Sequence, residues 1–114
     1  MIDKTWQKSA DIDNMRLAIK EAIHSRDLGD YAFGAVIANK EGNPIIKIGN
    51  RIRVEIDPSS HSEIVALRMA CRDVQSRYLE GFTLYSTHSP CMMCFGACIW
   101  SKVGRIVYGV YQRD

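Results

Sequence analysis

Two short stretches of this sequence bring together residue types that can hold a metal ion and move a proton. One is His88-Ser89-Pro90-Cys91-Met92-Met93-Cys94. Proline favours the first helical position, so Pro90 marks a strand-to-helix junction and puts Cys91 and Cys94 on consecutive turns of one helix face. Thiols at a helix N-terminus ionise more readily, which suits thiolate ligation. The other stretch, Pro58-Ser59-Ser60-His61-Ser62-Glu63, reads as a similar helix start that supplies His61 as a third ligand with Glu63 close by. Catalytic zinc sites use three protein ligands of a tetrahedron and leave the fourth position to water. Two thiolates cancel the charge of Zn²⁺ and acidify water less than three neutral ligands do, so an adjacent proton acceptor becomes useful. Glu63 is the residue for that task. The chemistry this predicts is hydrolysis, in which an activated water attacks an electrophilic carbon and Glu63 carries the water's proton to the leaving group.

The same residues admit other readings. Ser60-His61-Ser62-Glu63 fits a capping box, in which the glutamate only returns a hydrogen bond to the cap residue. A closed structural zinc site would recruit His88 or Cys98 as fourth ligand. A Cys-x-x-Cys pair at a helix start also fits redox chemistry, though that gives no role to His61 or Glu63. Cys71 and Cys98 read as small core residues, and His24 as a surface residue near a helix C-terminus, where an imidazolium is favoured.

The elements that must position these residues follow from periodicity. Ile12, Met15, Ile19, Ala22 and Ile23 recur at helical spacing from Asp11 to about Asp27 and predict an amphipathic helix with that face buried. Ala32-Phe33-Gly34-Ala35-Val36-Ile37-Ala38 is a short, nearly unbroken apolar run, expected as a central strand buried on both faces. After the turn-forming Lys40-Glu41-Gly42-Asn43-Pro44, the stretch from Ile45 to Val54 alternates, with Ile46, Ile48, Asn50, Ile52 and Val54 on one face, and closes an antiparallel hairpin. A helix from His61 to about Arg77 follows, its apolar face Ile64, Leu67, Cys71 and Val74. A strand from Phe82 to Thr87, a helix from Cys91 to about Lys102 and a strand from Arg105 to Tyr111 form a right-handed parallel crossover. The unit before it reads the same way. Both ligand-bearing helices then begin past the carboxyl end of a strand, the edge where parallel sheets bind ligands. The fold expected is α/β, a three-layer α/β/α sandwich with a mixed central sheet.

The chain has 114 residues, with 15 Lys plus Arg against 13 Asp plus Glu spread along it. That length fits one domain over residues 1–114, and no basic block announces a nucleic-acid groove. No apolar run approaches the ~20 residues of a membrane span, and the polar N-terminal stretch carries no secretion signal, so the expected location is the cytoplasm. Four cysteines in that setting argue for metal or catalysis over a disulfide framework.

The order His61-Ser62-Glu63 and then Pro90-Cys91-Met92-Met93-Cys94 resembles the zinc deaminase signature. Phe33-Gly34-Ala35-Val36-Ile37 resembles the first-strand motif of the cytidine and deoxycytidylate deaminase superfamily, and Asn50 its substrate-binding asparagine. The likeness runs from the first helix to Tyr111. Leu67-Arg68-Met69-Ala70-Cys71, Phe95-Gly96-Ala97 and Trp100 look most like bacterial guanine deaminases, with the tRNA adenosine deaminases second. The resemblance implies zinc on His61, Cys91 and Cys94, and Glu63 as proton shuttle. It implies base contacts from Asn50, the Ser62 amide and Phe33, and entry of Trp100 into a neighbouring subunit's pocket. It also implies a small-molecule nucleobase or nucleoside substrate, guanine ahead of cytosine or tRNA, and a homodimer or larger homo-oligomer. Three departures stand out: Ala32 replaces the usual proline, His88-Ser89 stands where a glutamate usually precedes Pro-Cys, and the chain ends at Asp114 before the family's C-terminal strand and helices.

Overall fold

The computed structural model describes residues 5–110. In chain order these form α1 (Thr5–Asp27), β1 (Gly34–Ala38), β2 (Pro44–Gly49), α2 (Ile52–Glu55), α3 (Ser62–Val74), β3 (Thr83–His88), α4 (Met92–Trp100) and β4 (Arg105–Val110). The strands lie in the order β2-β1-β3-β4. β1 is antiparallel to both neighbours, while β3 and β4 run parallel. β2 and β3 therefore point the same way with β1 between them, so both helical crossovers start from the same edge of the sheet. As expected, β1 is central and buried along its whole length. The expected last residue of β4, Tyr111, lies outside the described residues. No helix among the described residues is long and apolar enough to cross a membrane.

Alternation along the strands divides the core into two layers. Ala35, Ile37 and Leu84 face α3 and α4, packing with Ala66, Leu67, Ala70 and Cys98. Val36, Ala38 and Tyr85 face α1, packing with Ala18, Met15 and Leu17. This is the expected α/β/α sandwich.

The face that α1 buries differs from the expectation. Asn14, Ala18, Ala22 and Ser25 are buried, whereas Ile12, Ile19 and Ile23 are nearly half exposed. Close approach selects the small residues. A Cβ on Gly34 would stand 2.0 Å from the Ala18 carbonyl oxygen, and one on Gly49 would stand 2.6 Å from Ser25 Cβ. The helix thus lies on two glycines, a spacing that admits alanine and serine at the contact and pushes the isoleucines to its flanks.

Two further elements depart from the periodicity. β2 stops at Gly49, and Ile52 and Val54 sit on the short helix α2 instead of sharing a strand face with Ile46. The buried carboxylate of Asp30 accepts the Arg53 and Val54 amides at 2.9 and 3.0 Å, and Asn50 Oδ1 accepts the Ile52 amide at 3.1 Å. These acceptors turn the chain out of the sheet. α3 ends at Val74, earlier than expected, with Gln75 in the left-handed region at φ 58°. Its buried residues are Ser62, Glu63, Val65, Ala66, Leu67 and Ala70, and Val74 is exposed, because the helix packs on the sheet through its first turns and runs past it.

Gly34→Ala is expected to destabilise the fold by at least about 3 kcal/mol, because helix backbone cannot yield to the new methyl. Gly96→Ala, in α4 where a Cβ meets nothing within 4 Å, is expected to stabilise by up to ~1 kcal/mol. Urea denaturation of the two variants side by side measures both.

Candidate metal centre and adjoining cavity

His61 and Cys91 occupy equivalent places. Each is the N-cap of its helix, with extended backbone (φ −62°, ψ 150° and φ −71°, ψ 175°), and neither side chain caps its own helix. The N-cap position usually belongs to Ser, Thr, Asp or Asn, whose oxygen satisfies a free amide of the first turn. Here both side chains turn to each other instead, with Cys91 Sγ 3.7 Å from His61 Nδ1. Cys94, in the first turn of α4, places its sulfur 3.5 Å from that of Cys91.

These three donor atoms lie within 4.8 Å of one another, and they are the group of metal-ligand type found among the described residues. Zinc–sulfur bonds of about 2.3 Å and a zinc–nitrogen bond of about 2.0 Å at tetrahedral angles require donor separations of about 3.5–3.8 Å. The two measured edges fit that figure, and one imidazole with two thiols is a zinc-type donor set. Neither His88 nor Cys98 joins the group. Cys98 is buried in the core, as expected, its thiol pushed up to about 11 by burial and then by the charge of Glu63. A redox pair would have no use for the imidazole beside it. Burial, then the Glu63 carboxylate, raises the Cys94 thiol well above its ordinary value. A divalent cation reverses that balance by supplying positive charge at the sulfur.

Glu63 is buried and does not make a capping box. Its Oε1 accepts the Ser62 hydroxyl at 2.6 Å, while Ser60 donates its hydroxyl to Glu55 at 2.8 Å. Glu63, His61, Ser62 and Cys91 line an open cavity of about 170 Å³ with Phe33, Asn50, His88 and Ser89. The topology explains the gathering. Gly34 pairs with Gly49 and Ala35 with Ser86, so the start of β1 meets the ends of β2 and β3 at the edge where α3 and α4 begin.

Asn50 is 3% exposed and held on three sides. Its amide donates to the Phe33 carbonyl at 2.9 Å, its carbonyl accepts the Ser25 hydroxyl at 2.8 Å, and its Oδ1 is taken by Ile52. Nδ2 is left as the donor for a ligand. Phe33 makes a T-shaped contact with His88 at 4.4 Å between ring centroids. Trp100 is not brought to this cavity. It stands 84% exposed at the far end of α4, beside Cys71, Tyr78 and Ala97. His24 does not line this cavity either; it is exposed near the end of α1. His88, which the sequence offered as an alternative fourth ligand, and Ser89, a departure from the family pattern, both line the cavity; the signal for that place was position, at the carboxyl end of a strand leading into Pro90.

The family model of the cytidine and deoxycytidylate deaminase zinc-binding region matches residues 8–110. A tRNA-specific adenosine deaminase of Aquifex aeolicus is 34% identical over 99 residues, covering 87% of this chain and 65% of that protein. A solved structure from work on A-to-I editing by tRNA:A34 deaminases superposes with a TM-score of 0.85 at 35% identity, over 89% of this chain and 72% of the other. The guanine deaminase of Bacillus subtilis superposes with a TM-score of 0.83 at 30% identity, over 87% and 63%. The chain spans about half to two thirds of the length of the curated relatives it matches.

Zinc stoichiometry by elemental analysis is expected to be one per chain. Cys94→Ala and His61→Ala are expected to lose it, and Cys98→Ala to keep it. A chelator is expected to lower the melting temperature of the zinc-loaded protein, since an ion bound by the folded state alone stabilises it by mass action. A metal-free preparation, or metal loss in Cys98→Ala, would contradict the three-donor assignment.

Proposed function

This chain belongs to the zinc-binding cytidine and deoxycytidylate deaminase family, and from that premise we propose that it carries the centre of a hydrolytic nucleobase or nucleoside deaminase. The observation that carries the proposal is the three-donor group with a buried carboxylate beside it on one cavity wall. In this reading His61, Cys91 and Cys94 hold the zinc, which when bound supplies Lewis acidity that makes water nucleophilic near neutral pH.

The remaining work belongs to side chains of this protein. Glu63, fixed by Ser62 through Oε1, takes a proton from the attacking water and delivers it to the ring nitrogen. A carbon–oxygen bond forms. Glu63 then moves the second proton of that water to the exocyclic amine, the carbon–nitrogen bond breaks, and ammonia leaves behind a carbonyl. Asn50 orients the base through Nδ2, the backbone amide of Ser62 faces it, and Phe33 walls the ring. General acid–base groups of this kind contribute ~10²–10⁴ in rate.

The substrate that relatives favour is adenosine in RNA, since the Aquifex relative and the A34 deaminase structure both carry that name. Guanine is the second candidate, supported by the Bacillus subtilis likeness. The residues that first pointed to guanine, Met69, Ala70, Cys71 and Trp100, do not line the cavity. A cytoplasmic location accords with either substrate.

Self-association is also proposed. Met92, Phe95, Ile99 and Trp100 follow one another at helical spacing on α4 and are 92, 52, 63 and 84% exposed. The helix carries no charged residue. An uncharged apolar stripe of this kind is self-complementary and suits a two-fold contact. Trp100→Glu is expected to shift a dimer to monomer in sedimentation velocity; an unchanged profile rules the stripe out.

Ammonia release from zinc-loaded protein over tRNA, adenosine, guanine, cytosine and cytidine tests the activity. Glu63→Gln is expected to keep one zinc and lose turnover by ~10²–10⁴. Retained turnover with only a modest loss of stability would return Glu63 to a structural role.

A further inference from the structure

We propose that His88 is a specificity-determining residue that reads a hydrogen-bond acceptor on the substrate ring through its Nε2–H, an inference that rests on the deaminase reading above. His88 ends β3 and lines the cavity, and it stands outside the three-donor group. Its Nδ1 lies 3.1 Å from Thr87 Oγ1. That hydroxyl oxygen already accepts the buried Gly34 N–H at 3.1 Å. Among the described residues its other partner is His88 Nδ1. In the proposed arrangement the Thr87 hydroxyl donates to Nδ1, and a neutral imidazole that accepts there carries its proton at Nε2, which leaves the ring a donor. The edge-on contact with Phe33 at 4.4 Å holds the imidazole in place.

Asn50 has the same polarity, because its Oδ1 is taken by the Ile52 amide and Nδ2 remains. The cavity lining carries one carboxylate, Glu63, with Oε1 already committed to Ser62. Two donor side chains with a single engaged carboxylate select a ring edge rich in acceptors, such as the ring nitrogens of adenine. An analogue with one acceptor replaced by C–H leaves a donor unpaired and binds less well.

Two measurements test this. Nitrogen-15 NMR of the wild-type His88 ring, at a pH where the imidazole is neutral, reads which nitrogen is protonated. Nε2–H is expected; a proton on Nδ1 overturns the proposal, and this arm stands even where a variant fails to fold. In the second arm, zinc-loaded wild type, His88→Leu and His88→Gln are compared by calorimetry and steady-state kinetics. The probes are an RNA hairpin with a loop adenosine, its 3-deaza and 7-deaza counterparts, and free guanine with its 3-deaza and 7-deaza analogues. Wild type is expected to lose about tenfold in affinity at one deaza position. His88→Leu is expected to erase that discrimination and raise KM for the parent more than it lowers kcat. His88→Gln, which keeps an N–H donor, is expected to recover part of it. Equal discrimination by His88→Leu and wild type overturns the proposal. Failure of the wild type to bind or deaminate every probe overturns the deaminase reading and this one with it, a result visible without any variant.

Discussion

The approach of Cys91 Sγ to His61 Nδ1 joins two helix starts that lie 30 residues apart, and the rest of the structure serves that contact. It requires α3 and α4 to begin at the same edge of the sheet. That in turn requires β2 and β3 to point the same way, which the antiparallel insertion of β1 between them permits without placing them side by side. A one-residue slip of β1 against β3 would reverse which residues face α1 and which face α3. The register is held by the glycine contacts on one face, where nothing larger than Gly34 and Gly49 fits beneath α1.

The opposite wall of the cavity depends on buried polar groups. Asp30 is 6% exposed and accepts three backbone amides, those of Tyr31, Arg53 and Val54. The approach to β1 is thereby tied to α2, and Asn50 between them is fastened to Phe33 and Ser25. A buried carboxylate with several amide donors is a stable arrangement, whereas the same carboxylate with a donor removed carries a desolvation penalty of ~1–3 kcal/mol. The position of Asn50 is therefore set by groups that have no chemistry of their own.

Much of this was legible from residue order. The spacing of Cys91, Cys94, His61 and Glu63, the apolar run of β1 and the two crossovers led to the sandwich and to the edge where the motifs meet. What periodicity could not carry was any distance between elements. Ile12, Ile19 and Ile23 form a convincing apolar stripe with Ala22, yet the contact with two glycines buries Ala22 together with Ala18 and Ser25 and leaves the isoleucines nearly half exposed. Ile52 and Val54 continue the alternation of β2, yet Asp30, more than twenty residues away in sequence, turns them into a helix. His88 looked like an alternative ligand or an oddity before Pro90. Its place as a cavity wall depends on the Thr87 hydroxyl and the Phe33 ring, which no spacing rule reveals.

The two helix starts also bear on the charge of the site. With zinc held as proposed, two thiolates and the Glu63 carboxylate bring three negative charges against the two positive charges of the ion. Partial positive charge from the protein offsets that excess. Each helix N-terminus contributes roughly half a positive charge, and both point at this locus because His61 and Cys91 are the N-caps. Their side chains leave the first-turn amides uncapped, so that partial charge is not neutralised by a cap oxygen. The choice of His and Cys where Ser or Asp would make better caps thus does two things at once. It supplies the donors, and it leaves two uncapped helix ends, with their partial positive charge, facing the sulfurs and the Glu63 carboxylate.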